Sequence, residues 1–108
     1  MPDVDAFLEI LKDEIVHLAD EHFEEFRDQA VRDGTAFLHR TEDDLRHWAQ
    51  LLEDGKLSRS ELASLVRGQK DLAEMTALKR AGLAAAEADR FRNALLDRVI
   101  GTAVRVLL

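Results

Sequence analysis

The chain has 108 residues, with no cysteine, no tyrosine, one proline (Pro2) and five glycines. Without cysteine there is neither a disulfide framework nor a thiolate metal site. With its only proline at position 2, the chain has no proline to break a helix downstream. No apolar run approaches the roughly 20 residues of a membrane span. The opening Met1-Pro2-Asp3-Val4-Asp5 is acidic and lacks the basic region of a signal peptide, which points to a cytoplasmic protein. Gly68, Gly82 and Gly101 stand singly, so there is no glycine-rich phosphate loop. Nucleophilic catalysis also finds little to use. Ser58, Ser60 and Ser64 cluster in mid-chain, far from His17 and His22, whereas a serine nucleophile needs a base within hydrogen-bond reach. The chain reads as a non-enzyme with no cofactor.

What is present is a globular balance of 46% hydrophobic and 34% charged residues, the composition of one domain over 1–108. Its strongest local signal lies at mid-chain. Glu53-Asp54-Gly55-Lys56-Leu57 forms a glycine-bearing turn, and Ser58-Arg59-Ser60-Glu61 follows with the spacing of a capping box. Helical periodicity runs on both sides. Limb one, about 4–53, can be capped by Asp3 or Asp5 and carries Val4, Leu8, Leu11, Ile15, Leu18, His22 and Phe26 on one stripe, continuing through Ala30, Phe37, Leu45 and Leu52. Asp33-Gly34-Thr35 is a possible break, but the stripe survives across it, so one continuous helix is expected there. Limb two, about 58–106, presents Leu62, Leu65, Val66, Leu72 and Leu83. The expected fold is all-α: a long antiparallel helical hairpin turning at 54–58.

Charge and side-chain size agree with that pairing. Residues 1–54 carry 16 acids against 5 bases, a balance of −11, and residues 55–108 carry 6 against 10, a balance of +4. Folded side by side, the acidic limb attracts the basic one, which selects the pairing more than it stabilises it. The overall charge of −7 and the lack of an aromatic platform beside the arginines argue against a nucleic-acid interface. Positions symmetric about the turn face each other, so Phe23 and Phe26 lie opposite the small residues Ala84 to Ala88, and Trp48 lies near Leu62 and Leu65.

Two helices cannot enclose a core, and the open end of the hairpin is apolar nearly all round. Phe7, Ile10 and Val16 on limb one, with Leu95, Leu96, Val99, Ile100, Ala103 and Leu107 on limb two, are therefore expected to form an interface with a second copy, completing a four-helix or larger bundle. The chain itself, as a homodimer or higher oligomer, is the expected partner, with another protein as a further one. Across the hairpin His22 faces Arg90 and Glu25 faces Glu87, so these four are expected to form a buried polar layer that sets register, or a ligand-binding cluster. Glu14-Ile15-Val16-His17 and Asp44-Leu45-Arg46-His47 have the carboxylate-x-x-His spacing of di-metal bundles. Glu14 and His17 lie roughly opposite the apolar stripe, so no metal is expected from them.

The resulting expectation is a non-enzymatic oligomeric scaffold or adaptor, presenting Asp20, Glu21, Glu24, Asp28, Glu42 and Asp43 to a protein partner. One alternative is a metal-binding bundle using Glu14, His17, Asp44 and His47. Another is a peripheral membrane protein docking through Val99 to Leu108, although only Arg98 and Arg105 are placed there to meet lipid headgroups.

Overall fold

Limb one is not one rod. In the computed structural model, which describes residues 3–108, a corner at Phe23–Phe26 divides it into α1 (Asp3–His22) and α2 (Arg27–Glu53). Limb two is divided twice, into α3 (Arg59–Arg67), a 3-10 turn at Lys70–Leu72, α4 (Thr76–Arg80) and α5 (Ala85–Leu107). Met1 and Pro2, part of the expected 1–108 domain, lie outside the described residues. All regular structure among the described residues is helical.

The expected mid-chain turn is present in full. The Ser58 hydroxyl accepts from the Glu61 amide at 3.1 Å, and the Glu61 carboxylate accepts from the Ser58 amide at 2.9 Å. Before it, α2 closes by a Schellman pairing, in which the Gly55 amide donates to the Leu52 carbonyl and the Lys56 amide to the Leu51 carbonyl. Gly55 sits at φ +75°, where a side chain would be strained. The same device ends α4. There the Gly82 amide donates to Lys79, the Leu83 amide donates to Leu78, and Gly82 takes φ +103°. Gly82 thus breaks limb two, while Gly34 lies inside α2 and does not break limb one.

Gly34 has a different use. It is buried where α2 crosses α1, and a Cβ built on it would lie 2.6 Å from Ile15 Cγ2. That methyl belongs to a stiff β-branched side chain, so the two helices approach this closely only over glycine. The crossing turns α2 back along α1, and the Arg46–Asp5 ion pair at 2.7 Å fixes the far end. Asp5 therefore lies within α1 and pairs with α2.

α5 also runs antiparallel to α1, joined to it by Arg98 to Glu14 at 2.7 Å and to Glu21 at 2.6 Å. Between α2 and α5 the segmented stretch α3–α4 returns, α3 against α5 and α4 against α2. The chain thus makes four legs, up-down-up-down, with the third in pieces. It measures 43 × 22 × 19 Å, about the length of α2 alone at ~1.5 Å per residue.

This topology corrects the expected interface. Phe7, Leu95, Leu96, Val99, Ala103 and Leu107 are buried inside the single chain, and Ile10, Val16 and Ile100 are half-buried. With limb one folded on itself, α1 and α2 provide the cover that two straight helices lack. Each large apolar side chain enclosed this way is worth about 1.5–3 kcal/mol. Within Val99–Leu108, Val99, Ala103 and Leu107 are turned inward, while Leu108 is exposed. No helix among the described residues is long and apolar enough to cross a membrane.

Candidate functional site

The corner between α1 and α2 holds the most distinctive surface. It contains no glycine or proline; its sequence is Phe23-Glu24-Glu25-Phe26. Phe23 packs on the fully buried Phe91 of α5, with ring centroids 5.4 Å apart, and Phe26 meets Phe23 edge to face at 6.2 Å and 85°. His22 stands at 6.1 Å from Phe23 and 6.0 Å from Phe91. The corner is therefore made by ring packing against α5, with little help from turn chemistry.

Both phenylalanines stay half-buried. Together with Leu83 they line a groove of about 590 Å³, which His22, Glu24, Glu25 and Glu87 complete. The structure so brings together three of the four residues expected in a polar layer, His22, Glu25 and Glu87. It does not bury them, and all three are exposed, as is the fourth, Arg90, which does not line the groove. The expected buried layer is corrected to an open rim. α1 ends at His22, so its stripe stops there and the imidazole emerges at the helix terminus.

The acids of this region fall into two groups. Asp20 is ion-paired to Arg27, which also reaches Asp28, and Glu21 is held by Arg98. Among the described residues Glu24, Glu25 and Glu87 have no basic partner within 4.0 Å. Three uncompensated carboxylates thus surround the accessible parts of two orthogonal phenyl rings. Ring faces attract cations electrostatically, and carboxylates attract them by charge. A positively charged group attached to something apolar matches this lining in charge and polarity.

The metal alternative fares less well. Glu14 is occupied by two guanidinium groups, Arg98 at 2.7 Å and Arg105 at 3.3 Å. The hydrogen bond from Arg98 is the chief reason its carboxyl is held below the ordinary glutamate value, against the opposing effect of partial burial. Arg98 is correspondingly raised, first by its bond to Glu14. His17, Asp44 and His47 are exposed. No group of three metal-ligating side chains assembles among the described residues.

Two features escaped the sequence reading. Phe23 and Phe26 were expected to fill space against small residues, and their place at a corner carries no breaker signal. Asp33, read as part of a possible break, is buried at 6% exposure and caps another helix. Its Oδ1 accepts from the Ala77 amide at 2.9 Å and its Oδ2 from the Leu78 amide at 2.8 Å. The signal for Asp33 was available: it lies between Ala30 and Phe37 on the apolar stripe, where a carboxylate needs a partner.

Compared with known protein families, with curated proteins and with solved structures, the chain finds no match.

Proposed function

We propose that the protein is a non-enzymatic adaptor whose working surface is the Phe23–Phe26 groove, and that it takes a basic, apolar-flanked segment of a partner protein. The observation that carries this reading is the coincidence of two half-buried aromatic rings with three carboxylates that lack a cation. Most of the large apolar side chains are buried in the chain's own core, and among the described residues Leu72 and Leu108 are the exposed ones. A lysine or arginine of the partner lies over the rings beneath Glu25 and Glu87, and a neighbouring apolar side chain rests on Leu83. The working unit in this reading is the single chain.

The test is an NMR titration of the full chain with a short lysine–leucine peptide. The expected result is shifts confined to Phe23, Phe26, Leu83 and their neighbours. Affinity should fall about tenfold or more when Glu25→Lys and Glu87→Lys are combined. A peptide with glutamate in place of lysine should not bind. Equal binding of both peptides, or binding unaffected by the charge reversals, refutes the assignment.

A further inference from the structure

A second cleft, on the opposite sign of charge, lies between α2 and α4. Arg32, Ala36 and Arg40 follow one another at four-residue spacing along α2, and Arg80 closes the space from α4 over a floor of Ala77 and Ala81. Its volume is about 420 Å³. Arg80 also lines an adjoining cleft of about 550 Å³, with Lys70, Lys79 and Arg92. Six cations therefore border two neighbouring spaces that share Thr76 and Arg80, on a chain whose net charge is −7.

Three acids, Asp33, Asp71 and Glu74, line the same clefts and offset the six cations only in part. Asp33 spends both carboxylate oxygens on the Ala77 and Leu78 amides. Glu74 pairs with Arg40, at 3.5 Å, and that arginine also donates to the Leu72 carbonyl. Arg92 reaches only Asp89, at 3.6 Å, and its Nε is buried without an acceptor. Among the described residues Arg32, Lys70, Lys79 and Arg80 have no carboxylate within 4.0 Å. The charge segregation in the sequence suggested that the bases of limb two would be neutralised by limb one. Here they are not.

We propose that this pair of clefts binds a small ligand carrying two or more phosphoryl groups, with Arg32 and Arg80 as its principal contacts. Guanidinium groups match phosphoryl oxygens as bidentate donors, and the two spaces meeting at Arg80 hold separate charged groups on either side of it. Each volume lies in the range of small-molecule pockets. A long polyanion is disfavoured, because beyond the clefts it meets the field of a net acidic chain. The phosphoryl groups are held by side chains, since Asp33 already occupies the amides at the start of α4.

The experiment is calorimetric titration of the full chain with sodium tripolyphosphate at low ionic strength, beside orthophosphate, an oligoglutamate peptide and a single-stranded oligonucleotide. Tripolyphosphate is expected to bind one-to-one, at least about tenfold tighter than orthophosphate, and to weaken with added salt. Arg32→Ala and Arg80→Ala should each weaken it about tenfold, the scale of one lost charge-assisted contact. Arg46→Ala, which removes the same charge from another face, should leave it within about twofold. Both cleft arginines are exposed, so circular dichroism of the variants should match the parent. Failure of tripolyphosphate to bind overturns the proposal, and so does an equal loss in the Arg46 variant. Tighter binding of oligoglutamate or of the oligonucleotide overturns it in favour of an acidic protein segment or a nucleic acid.

Discussion

Two corners of this bundle do the same job by different means. At 54–58 the chain reverses through a Schellman glycine followed by a reciprocal cap, all within a few residues. At Phe23–Phe26 it reverses with neither, and the bend persists because Phe23 rests on Phe91 and because Gly34 lets α2 close on Ile15. The first corner is local chemistry; the second is a product of packing. Caps show the same contrast. Ser58 caps the helix it adjoins, while Asp33 caps α4 from 44 residues away. Where a turn is set locally, damage to it stays local. Where it is set by packing, damage at a distance reaches it.

The comparison breaks most visibly at Phe91. Phe91→Ala removes the ring beneath the packed corner and should cost about 3–5 kcal/mol in denaturant unfolding, with faster amide exchange at Phe23 and Phe26. Next comes Asp33→Ala, which strands two amide donors at the start of α4. A loss of about 2–4 kcal/mol is expected, together with faster amide exchange at Ala77 and Leu78. Gly34→Ala should follow at about 1–3 kcal/mol, because the Ile15 methyl must be displaced. Adding Ile15→Ala to that variant should restore the crossing as read by α1–α2 contacts in NMR, although it leaves the core less filled. The local corner should respond least: Ser58→Ala lowers stability by about 1 kcal/mol. Amide exchange near Phe23 should not change in that variant. If it accelerates as strongly as in Phe91→Ala, the two corners are not independent.

A pH series sharpens the picture with a smaller effect. The Glu14 carboxyl is held below its ordinary value mainly by Arg98. A carboxyl depressed in the folded state stabilises fully above its unfolded pKa, and that stability is lost as pH falls through the folded one. The unfolding free energy of the parent should therefore exceed that of Glu14→Gln at neutral pH, and the difference should close as pH drops below the ordinary carboxylate range.

The residues that could be read in advance are those whose partners are near in sequence. Gly55, Ser58 and Glu61 announce their turn, whereas limb two was drawn as one helix through Gly82, where the chain breaks. The α-helical class was also legible. The corner at Phe23–Phe26 was not, because its cause lies in Phe91 and Gly34. That one unseen bend misplaced the rest. Drawn as a straight helix, limb one left Leu95, Val99 and Leu107 uncovered and called for a second copy, and it carried the His22 stripe inward. Of the expected polar layer, His22, Glu25 and Glu87 line one open groove and are exposed, not buried.

The dependence of α4 on Asp33 also bears on the order of assembly. A five-residue helix is far too short to persist alone, and its start at Met75 has a left-handed backbone that resists a side chain. α4 can become ordered only after α2 exists to offer its carboxylate. The hairpin of α1 and α2, complete by residue 53, forms the platform, and α4 is among the last parts to settle and the first to detach. Pulse-labelling during refolding should find protection at Leu78 arriving after protection at Phe37.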